Sequence, residues 1–222
     1  MADYCYTPID LMAIRVTLLE ENGSPFGGAS NLYVTADPIQ LAVKPRIEQG
    51  TTSVQKNGRG VVCSSKTARS TVTGYDLSGT FCRFEVELLQ LMFGGTLLTG
   101  GLGGTETIGI ADPDPDISRQ YGVCIEAWAA AYNGAEVQGT FPANTGANAY
   151  IQYAWPRVQC LPGSETLQEG VIVQPWEGIA TPNPGLGPGP NNDWPATLAG
   201  PQGKWVTNAL PTGACGATTA IS

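Results

Sequence analysis

The sequence has no histidine, and only 14% of its 222 residues are charged. The first absence removes the Ser-His and Cys-His pairs that activate most nucleophiles. There is no G-x-S-x-G elbow either, and the glycine-rich stretch "GGTLLTGGLGGTE" lacks the Lys-Ser/Thr ending with which a P-loop grips phosphate. The six cysteines (Cys5, Cys63, Cys82, Cys124, Cys160 and Cys215) include no C-x-x-C pair, and no imidazole is present to complete a zinc site. They read as buried free thiols, with disulfides as the alternative if the protein ends up outside the cell. No run approaches the roughly 18 apolar residues of a membrane span. The opening "MADYCYTPIDLM" carries Asp3 where an export signal wants positive charge. Cations are scarce too: 11 Lys and Arg against 19 Asp and Glu, a net charge of −8, which argues against nucleic-acid binding as a primary role.

One acidic motif resembles a metal loop. In "ADPDPDIS", Asp112, Asp114 and Asp116 have the alternate spacing of a calcium loop. Prolines fill both gaps, Ile117 takes the place of the required glycine, and Val123 stands where a bidentate Glu belongs. The motif reads as a stiff acidic loop. No metal, no cofactor and no catalytic residue is expected, although twelve acids after residue 83 leave an acidic hydrolase with paired carboxylates as an alternative.

What is present is glycine (29), proline (17) and enough apolar residue, 42%, to offset the entropy of ordering. Such usage predicts many short strands separated by turns. The run from Met12 to Leu19 is compatible with a strand and breaks at Asn22-Gly23. "RSTVTGYDLSGTF" reads as a strand interrupted at Gly79. In "YGVCIEAWAAAY", Tyr121, Val123, Ile125, Ala127 and Ala129 share one face, as in a half-buried strand, and "AYIQYAWPRVQC" repeats the pattern with Ile151, Tyr153 and Trp155. "EGVIVQPWEG" adds a further strand.

A single stretch has helical period. In "CRFEVELLQLMFGG" the apolar residues Phe84, Leu88, Leu91 and Met92 fall on one face, Glu85 and Glu87 favour the first turn, and Gly94-Gly95 makes a stop. This predicts one short helix, 84–93, packed on a sheet. The fold class expected is mainly β with a minor α component: an antiparallel sandwich or barrel in one domain spanning 1–222, with a Pro/Gly/Trp-rich segment at 174–222.

Charge is unevenly spread. Residues 1–83 hold 8 basic and 7 acidic side chains, whereas residues 84–222 hold 3 and 12. Lys44, Arg46, Lys56, Arg59, Lys66 and Arg69 face only Glu48 within the segment they span. Residues 44–60 therefore read as a basic, protruding loop or extended hairpin.

Three stretches in order carry a resemblance. "DLSGTFCRFEVELLQLMFGG" resembles the strand-then-helix block of siphophage major tail proteins. "YGVCIEAWAAAY" and then "AYIQYAWPRVQCLPGSETLQEGVIVQPWEGIATPNPGLGPGPNNDWP" are similar to the second half of tail tube proteins of phages infecting actinobacteria. Residues 71–195 carry the match and "WVTNALPT" extends it; the first 70 residues agree only in character. The resemblance implies a structural virion protein of the tail tube type, assembled in the host cytoplasm as hexameric rings stacked head to tail. Its partners would be its own copies, the tape measure, tail terminator and distal tail proteins, and double-stranded DNA in transit. It also implies an inter-ring contact through Lys44, Arg46, Lys56 and Arg59, and a helix core of Phe84, Leu88, Leu91 and Met92. Trp176 and Trp194 are expected either as anchors of subunit contacts or in the core of the monomer. Another virion β-protein (capsid decoration or distal tail), or an acidic carbohydrate-active or carbohydrate-binding β-sandwich, is the alternative.

Overall fold

The computed structural model describes residues 7–27, 31–101, 103–104, 106–113, 121–132, 150–166, 173–211 and 216–218. Asp114, Asp116, Ile117, Cys5 and Cys215 lie outside the described residues. The strands are β1 (Thr7–Leu18), β2 (Leu32–Thr35), β3 (Pro38–Glu48), β4 (Thr52–Lys56), β5 (Val62–Thr67), β6 (Thr71–Phe81), β7 (Thr96–Gly100), β8 (Glu106–Ala111), β9 (Val123–Tyr132), β10 (Tyr150–Pro162), β11 (Gln174–Thr181), β12 (Gly203–Thr207) and β13 (Gly216–Thr218). One helix, α1 (Val86–Phe93), and one 3-10 turn (Pro184–Leu186) interrupt them. The mainly-β expectation holds.

A nine-stranded antiparallel sheet runs in the order β13-β2-β1-β9-β10-β11-β6-β3, and β12 joins the first half of β10. β10 therefore forks: Tyr150 to Ala154 pair with β12, and Arg157 to Pro162 pair with β11. The sheet curls until β3 approaches β1, yet the two do not pair, so it stays open where a closed barrel was one expectation.

Alternation sorts the strand residues to two faces, and both faces are covered. Ile14 and Val16 of β1, Val123, Ile125 and Ala127 of β9, Trp155 and Val158 of β10, and Leu77 and Phe81 of β6 form the main core. Leu88, Leu91 and Met92 of α1 close it from above. On the opposite face Leu19, Cys124 and Ala154 pack under Leu186 and Trp194 of the C-terminal segment. β9 was expected to be half-buried. It is buried on both sides, because the strand-free, Pro/Gly-rich stretch 182–202 covers its second face.

The helix begins two residues later than its periodicity predicts. Phe84 lies ahead of it, in the link from β6, and is 56% exposed, so it does not belong to the helix core. An i, i+4 relation places two side chains together only when both residues are helical. Leu88, Leu91 and Met92 are buried, with Leu89 beside them. Gly94 ends the helix at φ 86°, a conformation that favours glycine, and its N–H donates to the Gln90 carbonyl.

Candidate assembly surface

Strands β3 and β6 form a stem, held in the sheet through β11 as far as Tyr75 and two-stranded beyond it, and β4 and β5 carry it outward as a hairpin. The stem register runs from Pro38 opposite Phe81 to Glu48 opposite Thr71, and the tip continues it from Thr52 opposite Thr67. The segment 44–60, expected as a loop or an extended hairpin, is thus the first arm and the tight turn of a hairpin. At that turn the Asn57 side-chain carbonyl accepts from the N–H groups of Arg59 and Val61, both at 3.0 Å, and Gly60 takes φ 80°. Every residue from 42 to 73 is exposed except Gly50. Val54, Val61 and Val62 at the tip, with Val43, Ile47 and Val72 on the stem, present aliphatic side chains to water.

The four cations proposed from the sequence fall into two pairs. Lys44 and Arg46 lie on the stem, where Lys44 stands opposite Asp76 and Arg46 forms an ion pair with the same carboxylate. Arg46 is therefore engaged within its own chain. Lys56 and Arg59 sit at the tip, with Lys66 on the paired strand and Arg69 just beyond it. A run of charge in the sequence has become a stem and a tip, because a hairpin separates residues by their distance from the turn.

Between the stem and the concave face of the sheet lies a groove of about 500 Å³. Leu11, Ile39, Leu41, Val43, Tyr153 and Trp155 contribute to its lining. The Tyr153 and Trp155 rings stack, with centroids 6.2 Å apart. The helix fills the interior of the curled sheet, and this groove is the part left open beside β3.

Trp176 and Trp194 are 1% and 5% exposed within the single chain. Both rings are thus covered within the chain itself, the placement the core alternative describes. Trp176 stacks on Phe81, centroids 6.1 Å apart, and its ring lies over Gly79, where a Cβ would come within 2.5 Å of the indole nitrogen. β6 runs unbroken through Gly79, where an interruption was expected, and the missing side chain is the space this ring requires. Trp194 in turn covers Gly189, at φ 94°.

Sequence reasoning missed the polar centre of the molecule. Arg15 and Glu126 stand directly opposite each other on β1 and β9, 3% and 0% exposed. The guanidinium donates to both carboxylate oxygens, at 2.6 and 2.8 Å, and also reaches Asp193 at 2.9 Å. Gln152 and the Trp194 indole each donate to Glu126 Oε1 at 2.8 Å, and the Trp205 indole donates to Gln152 Oε1 at 3.0 Å. The Trp128 ring lies 5.2 Å from the guanidinium carbon. A buried charge must be paired and hydrogen-bonded to be tolerated, and here the partners come from β1, β9, β10 and the C-terminal segment. Facing carboxylates raise the Arg15 pKa further, against the pull of burial. The signal was present in the sequence: Arg15 within "AIRVTL" and Glu126 within "VCIEAW" are lone charges inside buried strands.

Among the described residues no group of three or more His, Cys, Asp or Glu is placed to hold a metal ion. Their cysteines are free: Cys63 and Cys82 are exposed, in contrast to the expected burial, Cys160 is half-buried and Cys124 is buried. Burial raises the pKa of the Cys124 and Cys160 thiols, which makes both poor nucleophiles.

No family model and no curated protein matches the sequence. Among solved structures, the chain is similar to one in the sheath–tube complex of an extracellular contractile injection system, PVC, in its extended state, with 13% identity, 81% of this chain and 89% of that chain covered, and a TM-score of 0.30.

Proposed function

We propose that this chain is a structural, non-enzymatic subunit of a long phage tail tube, stacked as hexameric rings around a lumen that holds the tape measure and later passes DNA. The observation that carries the reading is the ribbon formed by β3–β6. It is ordered and regular, bears aliphatic side chains, and is exposed over nearly all of residues 42–73. An isolated two-stranded hairpin is marginal in water, so such a ribbon gains its stability by docking on another molecule. A basic tip on an acidic chain suits a partner that is a further copy of the same chain. The order of motifs in residues 71–195 supplies the rest of the reading: virion location, tail terminator and distal tail partners, and sixfold rings. The acidic lumen expected of such a tube keeps DNA phosphates from adhering to its wall.

Negative-stain microscopy of the purified, tag-free protein at rising concentration tests this. Rings of six or striated hollow tubes are expected. Monomers that persist at high concentration, with or without the other tail proteins, would refute the reading.

A further inference from the structure

The sheet has two ends, and they differ in charge. Register fixes which groups share an end. β3 and β6 leave for the ribbon past Glu48 and Thr71, beside the end at which β10 begins and β9 finishes. The opposite end gathers the β1 exit with its turn at 20–25, the β9 entry at Tyr121, and the β10 exit running from Leu161 to Glu165.

The ribbon carries Lys56 and Arg59 at its tip and Lys66 and Arg69 behind it, and residues 49–70 contain no acid. At the far end the acids include Glu20, Glu21 and Glu165, with Glu21 and Glu165 exposed, and exposed Glu177 stands opposite Leu161. Among the described residues, the cations near them are occupied. Arg157 donates to the backbone carbonyls of Tyr121, at 3.1 Å, and Glu21, at 3.4 Å, while Arg83 pairs with Asp37 at 3.2 Å. The same end exposes large apolar side chains, Phe26, Tyr121 and Leu161, the last 64% exposed. Both surfaces therefore combine aliphatic or aromatic contacts with a rim of one charge sign, and the signs are opposite.

We propose that the ribbon tip of one copy docks on this far end of a second copy, Val54, Val61 and Val62 meeting Tyr121, Leu161 and Phe26 while Lys56, Arg59 and Lys66 face Glu20, Glu21 and Glu165. The inference rests on the tube reading for its occupant, a second copy, and adds the receiving surface. The contact is heterologous: each copy keeps a free tip and a free far end, so addition repeats without closing. Apolar contact supplies affinity, and the charges fix register and exclude tip-to-tip and end-to-end pairing.

Two variants with opposite changes test it. One carries Lys56→Glu, Arg59→Glu and Lys66→Glu; the other carries Glu20→Lys, Glu21→Lys and Glu165→Lys. Thermal unfolding like that of the parent establishes that both fold. Each alone should need about tenfold more protein to associate than the parent, or more. Mixed one to one they should associate again, because the acidic tip of the first now meets the basic far end of the second, and the two untouched surfaces also match. Sedimentation velocity of the mixture, at concentrations where each variant alone is monomeric, reads this contact whether or not parent tubes grow. Failure of the mixture to associate overturns the receiving surface, as does parent-like association of either variant alone. Failure of the parent to form rings or tubes while the mixture associates would overturn the tube reading and leave this contact standing.

Discussion

The β4–β5 hairpin and the C-terminal segment at 182–202 invert the usual link between regularity and burial. The hairpin has paired strands and a well-formed turn, and none of its side chains is buried. The C-terminal segment has no strand, only turns, bends and irregular backbone around one 3-10 turn, contains "PNPGLGPGPNNDWP", and buries Asn183, Leu186 and Trp194. Backbone hydrogen bonding contributes little net stability by itself, because water offers the unfolded chain the same bonds. Removing apolar area from water, at about 25 cal/mol per Å², separates the two regions. Prolines and glycines do not loosen the C-terminal segment: prolines narrow its unfolded ensemble, and Gly189 makes room for the Trp194 ring. Order in the segment is supplied from within, whereas on the assembly proposed above order in the hairpin is completed by a partner.

The comparison breaks most severely at the carboxylate on which the segment is anchored. Glu126→Ala leaves the Arg15 guanidinium buried with only Asp193 as a charged partner and strips the Trp194 and Gln152 donors of their acceptor. A loss of about 3–5 kcal/mol is expected in denaturant unfolding. The double replacement Arg15→Met with Glu126→Leu should recover much of that loss, since it removes both charges together. Equal destabilisation by the single and double variants would show that packing, not the unpaired charge, is at stake.

Next in size is the opposite face. Leu88→Ala or Leu91→Ala removes a buried side chain where α1 meets the sheet and should cost about 2–5 kcal/mol. A cost well under 1 kcal/mol would mean that the helix contributes little to the core. Trp194→Phe is gentler: it keeps a ring over Gly189 and removes one N–H donor to Glu126. The expected loss is about 1–3 kcal/mol, and Trp194→Ala should exceed it, because the ring's packing is lost as well.

How much of this was legible in the sequence follows from the range of each signal. Alternation in "VCIEAW" and "IQYAWP" identified β9 and β10 because the period-2 pattern is local. The glycine pair after Phe93 marked the end of the helix for the same reason. Its start was misplaced, since Phe84 matches the period while its backbone belongs to the link from β6. Burial of Trp176 and Trp194 was not decidable locally: it depends on Gly79 and Gly189 passing beneath the rings. The basic run at 44–69 was visible as composition, but its division into stem and tip required the register of β3 on β6. The Arg15–Glu126 pair was the most concealed, because its two members lie 111 residues apart.

The hairpin itself should show the smallest effect on folding and the largest on association. Val54→Thr with Val62→Thr keeps β-branched residues in both strands, preserving backbone preference while adding hydroxyls to exposed positions. Exposed substitutions of this kind usually shift stability by no more than about 0.5 kcal/mol, so the monomer should unfold as the parent does. If the valines are contact residues, the same change buries hydroxyls without assured partners at each tip, and the concentration needed for association should rise steeply. Measured on one variant, the two readouts separate a surface that completes the fold from a surface that completes the assembly. A large loss of monomer stability would mean that the hairpin already packs within its own chain. Unchanged association would mean that the tip valines meet only water.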